Sequence, residues 1–302
     1  MSLYDDASLI MIPSGVKTGK VYSQKPMDSD GQFTFTRASE ASRVNSAGLI
    51  EKVRTNSLLQ SNSFDTAPFG GTRIHLTGGQ ADKDGGTDAW KLAANTTNST
   101  HYIAQSVTIS NGVACLSIYA KAGGYSYLTI RDDSTGSAYA KFDLATGVTD
   151  YLTSSQAVAS SIESVGDGWY RCSMTFTETA TGNILFYVNA AYDYANAYAG
   201  DGTSGIYIQS AQLEQGLVAT DYIETTSVAV SEGPVANMPR LDYSGGATCP
   251  SLKLEPSRTN VVTHSQYIEA FISWSSAGTT ITTNEGISPD GFQNATKFTG
   301  IA

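Results

Sequence analysis

Tyr125 and Tyr127 in GYSYLTIR, Trp169 and Arg171 in GWYRCSMTF, and Tyr192, Tyr194 and Tyr198 in AAYDYANAYAGDG are the side chains whose type and spacing suit binding chemistry. Alternate residues of an extended strand share a face. Tyr125, Tyr127, Thr129 and Arg131 therefore stand together, opposite Leu128 and Ile130. Trp169, Arg171, Ser173 and Thr175 likewise oppose Tyr170, Cys172, Met174 and Phe176, and Leu185, Tyr187 and Asn189 oppose Ile184, Phe186 and Val188. Aromatic rings stack on the apolar C–H patches of a sugar while Arg, Asn and Gln bond its hydroxyls. Contact with a glycan is one reading of such faces. Packing against a neighbouring subunit is the other, because tyrosine favours strands in any context.

Metal and catalytic chemistry have weaker footing. Asp82, Asp84 and Asp88 in DKDGGTD could wrap a hard cation such as calcium, though the bidentate Glu of a full calcium loop is missing. The alternative is a solvated acidic turn. SGVKTGKV, from Ser14, is one residue short of a phosphate-binding loop and carries Val21 where Ser or Thr would meet magnesium. It reads as a turn. His75, His101 and His264 lie far apart without partners at ligand spacing, and no GxSxG or HExxH motif occurs. No catalytic residue and no required cofactor are expected.

Composition narrows the field further. A formal net charge of −10 is the wrong sign for a nucleic-acid groove or an anionic membrane surface. No apolar run approaches the roughly 20 residues that cross a bilayer. LIMIP at Leu9–Pro13 is too short for a signal peptide and follows Asp5 and Asp6 instead of a basic start. Cys115, Cys172 and Cys249 form neither a zinc pattern nor a disulfide framework, which suits folding under reducing conditions.

The elements that must position these residues read as strands. Runs such as ACLSIYAK, SYLTIRD, AYAKFDL, WYRCSMTF, NILFYVNA and GIYIQSAQL are separated by Gly-containing turns, and helix signals are almost absent. The expected fold is all-β. Residues 1–53 form an irregular segment that lies against another surface, 54–226 a jelly-roll β-sandwich, and 227–257 a connector. Residues 258–302 begin a second copy of the sandwich. The repeat is explicit: Glu51, Arg54, Thr55, Asn56 and Ser61 return at one interval as Glu255, Arg258, Thr259, Asn260 and Ser265. DGGTDAWKL at Asp84 is echoed by DGFQNATKF at Asp290. The second copy is too short to close two sheets, so the natural chain is expected to continue beyond Ala302. Arg54 is expected to brace the start of the sandwich by donating to connector carbonyls.

Several stretches resemble bacteriophage virion proteins of the tail-fibre and head-fibre kind. They are LYDDASLIMIPSG, FTFTRASEASRVNSAGLIEKVRTN, AKFDLATG, VGDGWYRCSMTF, GDGTSGIYIQSAQLEQG and the connector PRLDYSGGATCPSLKLEPSRTN. The resemblance implies an anchoring segment that docks on capsid, neck or tail proteins through residues 1–53. It implies jelly-roll, carbohydrate-binding-like modules that meet host-surface glycans, assembly as a homotrimer, and residence in the virion after synthesis in the host cytoplasm. No catalytic residues carry over. Two other roles fit the same residues: a ligand-free head-decoration or neck protein with aromatic subunit interfaces, and the binding module of a glycan depolymerase.

Overall fold

The computed structural model describes residues 2–108, 112–133, 138–151, 157–178, 181–194, 196–256, 261 and 278–300. Two compact units emerge, one of Thr55–Val230 and one that joins Met1–Arg54 to Ser231–Ala302. The chain is all-β as its turn-punctuated strands require.

The first unit is a sandwich of two six-stranded antiparallel sheets. Its strands, in chain order, are β1 (Gly70–Thr72), β2 (Ile74–Gln80), β3 (Ala89–Ala94), β4 (His101–Val107), β5 (Gly112–Gly123) and β6 (Tyr127–Asp132), followed by β7 (Ala138–Asp143), β8 (Val148–Tyr151), β9 (Ala157–Gly166), β10 (Trp169–Glu178), β11 (Gly182–Asn189) and β12 (Gly205–Gln215). Sheet one runs β8-β7-β6-β11-β4-β1, and sheet two runs β9-β10-β5-β12-β3-β2. Repeated crossing of the chain from one sheet to the other gives the jelly-roll pattern.

Alternation decides which side of each strand is buried. Leu128, Ile130, Phe142, Phe186 and Val188 from sheet one meet Leu92, Leu116, Ile118, Met174, Phe176 and Ile206 from sheet two in one apolar core. Each large buried side chain contributes on the order of 1.5–3 kcal/mol by leaving water. Register keeps their neighbours outward: Tyr127 pairs with Asp143 and Asn189, Thr129 with Lys141 and Tyr187, and Arg131 with Tyr139 and Leu185. The β7–β8 turn holds that register. The Asp143 carboxylate accepts the amide of Ala145 at 2.9 Å, and Gly147 takes a φ of 71°, which costs a glycine little.

The outward side of sheet two is overlaid by the chain's own segment 216–226. Thr175 donates to the Leu217 carbonyl at 2.8 Å, and the Glu214 carboxylate accepts the Thr220 amide (2.8 Å) and hydroxyl (2.6 Å). Asn56 pins the start of the sandwich to its end. Its amide group donates to the carbonyls of Ala211 (3.1 Å) and Ile223 (2.8 Å), and its oxygen accepts the amides of Leu58 and Leu213, both at 3.1 Å.

In the second unit, Ile10–Lys17, Lys20–Lys25 and Phe33–Thr34 form a three-stranded sheet. Residues 1–53 do not stand apart from the connector. The Arg37 guanidinium donates to the carbonyls of Pro234 (2.7 Å) and Val235 (2.6 Å), and the Asp242 carboxylate accepts the Val44 amide at 2.8 Å. Hairpins this short cannot satisfy their polar groups alone, so the two irregular stretches share theirs. Arg54 reaches the connector at the Glu232 carboxylate, 3.3 Å away. Of the second copy, Thr279–Gly286 pairs with Ala295–Gly300, the counterpart of the β2–β3 hairpin. Arg258, Thr259, Asn260, His264 and Ser265 lie outside the described residues.

Candidate functional site

Three of the seven candidate residues converge on the outward face of sheet one. Tyr127 on β6 and Tyr192 in the β11–β12 loop have ring centroids 6.1 Å apart, and Tyr194 meets Tyr139 of β7 edge-on at 6.0 Å. The Lys141 ammonium joins the groups, 4.5 Å from the ring centroids of both Tyr192 and Tyr194. All these side chains are half-buried. The face continues across the strands: the Arg131 guanidinium lies 4.7 Å from the Tyr139 ring and donates to the Tyr187 hydroxyl at 3.4 Å, and Tyr187 packs on Tyr102 at 4.9 Å.

The loop is held over the sheet by its backbone. The Thr129 hydroxyl donates to the Asp193 carbonyl at 2.7 Å and accepts from the Asn189 amide group at 2.8 Å. At the far end of the loop, Gly200 is required, since a Cβ there would lie 2.4 Å from the Asn95 carbonyl oxygen. The rings are thus carried on pinned backbone, which limits the conformational entropy a ligand must remove.

Electrostatically, each cation of the face has a carboxylate beside it. Lys141 lies 3.6 Å from Asp150, and Arg131 pairs with Asp133. Burial raises the Tyr192 and Tyr194 hydroxyl pKa values above the usual tyrosine value, and the Asp150 carboxylate adds to the effect at both. The Tyr192 hydroxyl is buried and has no hydrogen-bond partner among the described residues.

The other four candidates lie elsewhere. Tyr198 is an internal pin: its hydroxyl donates to the Val188 carbonyl at 2.9 Å, and its ring packs 4.6 Å from that of His101. Tyr125 precedes β6, packs against the core and meets Tyr198 edge-on at 5.5 Å. Trp169 and Arg171 belong to sheet two. Trp169 is 1% exposed, so its ring offers no surface for stacking. Arg171 donates to the Thr220 carbonyl and lies 5.5 Å from the Tyr119 ring, its donors directed into the overlying segment.

The acidic loop has no common focus for a cation. The Asp82 carboxylate accepts the amides of Asp84 (2.8 Å), Gly86 (2.8 Å) and Asp88 (3.0 Å), while Asp84 pairs with Lys83 at 2.7 Å. These bonds hold the Asp82 carboxyl below the usual range. Among the described residues no three acidic, histidine or cysteine side chains are grouped to hold a metal. The loop is a turn closed by its own first carboxylate.

Tyr139, Lys141 and Tyr102 are face residues that the strand reading passed over. Their signal was present: in AYAKFD, Tyr139 and Lys141 alternate with Ala138, Ala140 and Phe142, the pattern used for the neighbouring strands.

No family model matches the chain, and no curated protein matches it. Among solved structures, the enzymatically active domain of tailspike protein 4 from bacteriophage CBA120 is similar at 15% identity and a TM-score of 0.30, over 52% of this chain and 21% of that one. A carbohydrate-binding module from Cellvibrio mixtus lichenase 5A, solved with cellotriose, is 9% identical with a TM-score of 0.29, over 54% of this chain and 97% of that one. The binding and catalytic modules of Clostridium thermocellum xylanase 10B, solved with xylohexaose, are 12% identical with a TM-score of 0.29, over 53% and 27%. The chain thus spans about a fifth of the tailspike domain's length. These likenesses are of β-fold alone.

Proposed function

We propose that this chain is a structural and adhesive component of a bacteriophage virion, a fibre or appendage whose sandwich holds a host-surface glycan on the outward face of sheet one. The observation that carries the binding role is the convergence of Tyr127, Tyr192 and Tyr194 around the Lys141 ammonium, 4.5 Å from two of the rings. Ring faces suit sugar C–H patches, and the adjoining Arg131, Lys141 and Asp150 offer donors and acceptors to hydroxyls. The role is binding without a catalytic step and without a resident metal.

Support for docking comes from the other unit. Leu3, Tyr4, Leu9, Ile12, Met27 and Phe33 are all exposed, whereas the exposed large hydrophobics of Thr55–Val230 are valines alone among the described residues. Leu49, Ile50, Leu254, Val261, Ile287 and Phe298 of the same unit are exposed too, and exposed apolar side chains in such number suit contact with another protein. In the proposed particle, residues 1–53 meet capsid, neck or tail proteins. A homotrimer would multiply weak glycan contacts through effective concentration.

A density map of intact particles, traced through residues 1–53, tests the docking role. The expected result is that segment seated on a virion protein with the sandwich projecting outward; particles that lack the chain refute it. Retention of the full chain on immobilised host-surface polysaccharide tests the face. Tyr127→Ala with Tyr194→Ala is expected to abolish retention, and unchanged retention refutes the face as the binding surface.

A further inference from the structure

We infer that the outward face of sheet one selects uncharged saccharides and excludes acidic ones. The inference rests on the glycan-binding reading above and names its substrate class. The cations there are already matched. Lys141 lies 3.6 Å from Asp150, and Arg131 is paired with Asp133. Asp143 is the cross-strand partner of Tyr127, and Asp193 anchors the loop beside Tyr194. Four carboxylates thus face two cations, on a chain whose net charge is −10.

A uronate or sulfate arriving at this face meets like charge within a Debye length, about 8–10 Å at ordinary ionic strength. To gain an ion pair with Lys141 or Arg131 it would first have to displace a carboxylate of the protein. A hydroxyl faces no such barrier. It donates one hydrogen bond and accepts others, and a paired cation and carboxylate present one group of each kind side by side. Burial is the main cause of the raised Tyr192 and Tyr194 hydroxyl pKa values, and the Asp150 carboxylate adds to it.

The test is a polysaccharide panel probed with the full chain. It contains neutral glucans, galactans and mannans, the acidic polymers polygalacturonate, hyaluronan and dextran sulfate, and cationic chitosan. The Tyr127→Ala, Tyr194→Ala double variant identifies which binding belongs to the face. The expected result is that neutral polymers bind and lose at least tenfold in the double variant, with little dependence on salt. Face-dependent binding that is stronger for an acidic or cationic polymer than for every neutral one overturns the inference and leaves the glycan-binding reading standing. Binding to no polymer through this face removes the glycan-binding reading, and the inference with it.

Asp150→Asn provides an independent arm, because it leaves Lys141 without its carboxylate. Polygalacturonate binding at low salt is expected to rise at least fivefold and to fall again as salt is added. No rise refutes the argument that carboxylate pairing excludes acidic ligands.

Discussion

Replacing Asn56 by alanine tests whether this one buried side chain closes the sandwich. Asn56 is fully buried and makes four hydrogen bonds, two to carbonyls at 2.8 and 3.1 Å and two from amides at 3.1 Å. Its partners lie near both ends of the sandwich sequence: Leu58 just after its start, and Ala211, Leu213 and Ile223 near its finish. A hydrogen bond contributes a net ~0.5–1.5 kcal/mol, and each buried group left unpaired costs ~1–3 kcal/mol. Partial relaxation of four orphaned groups gives an expected loss of about 3–5 kcal/mol, a large share of the roughly 5–15 kcal/mol that stabilises a domain. Urea unfolding of the full chain, followed by tryptophan fluorescence, reads the loss as a lower midpoint at unchanged slope. Asn56→Asp keeps the acceptor for Leu58 and Leu213 but turns a second oxygen towards two carbonyls, so it should cost at least as much at neutral pH. A loss below about 1 kcal/mol for either variant would refute the reasoning.

Three further outcomes follow from single residues. Gly205→Ala would place a Cβ 1.8 Å from the Leu92 carbonyl oxygen, and should cost about 3 kcal/mol or more in the same assay; Gly70→Ala, with open space at its Cβ, should stay within about 0.5 kcal/mol. Burial pushes the Tyr222 hydroxyl up to about 12. Its stabilising contribution is therefore complete below the unfolded value near pH 10 and is lost as pH rises towards 12, a loss that Tyr222→Phe should abolish in alkaline unfolding curves. Hydrogen bonds from Ser204 and Thr203 hold the Asp201 carboxyl well below its usual range, so its contribution is complete above about pH 4 and lost on further acidification. Asp201→Asn should flatten the acid limb of the stability profile, and an unchanged limb would exclude that role.

Strand alternation made the side of each residue legible, but not what lies over that side. Tyr127 and Arg131 were placed outward with Leu128 and Ile130 inward, as they are. The same reasoning placed Trp169 and Arg171 outward on β10. There, however, Arg171 is spent on the Thr220 carbonyl, and Trp169 is buried. The segment that overlies sheet two, 216–226, has no strand period; it attaches through carbonyls and buried polar side chains such as Gln212 and Glu214, which leave no hydrophobic pattern. Loop residues were harder still. Tyr192, Tyr194 and Tyr198 are evenly interleaved with polar residues, yet Tyr198 turns inward to His101 while the other two join Lys141. What separates them is the anchoring of Asp193 by Thr129, a contact across 64 positions that local spacing cannot encode.

The repeated residues can now be separated by task. In the first copy Glu51 pairs with Arg43 at 2.6 Å, Arg54 with Glu232, and Asn56 closes the sandwich. Ser61 meets the Tyr222 hydroxyl at 2.6 Å and accepts the Thr225 amide at 2.9 Å. In the second copy Glu255 pairs with Arg240 at 2.5 Å, and Asp290-Gly291 turns its hairpin with a glycine φ of 90°, against 87° at Gly85. Every repeated side chain with a described partner is thus occupied within the protein. The face residues Tyr127, Lys141, Tyr192 and Tyr194 lie outside the repeated stretch. The repeated residues described in the structure therefore concern how a sandwich is begun and fastened. On the glycan-binding reading proposed above, the choice of polymer rests instead on the pairing of Lys141 with Asp150 and Arg131 with Asp133 beside the rings, where altering one carboxylate should change which polymer is held before it changes whether the domain folds.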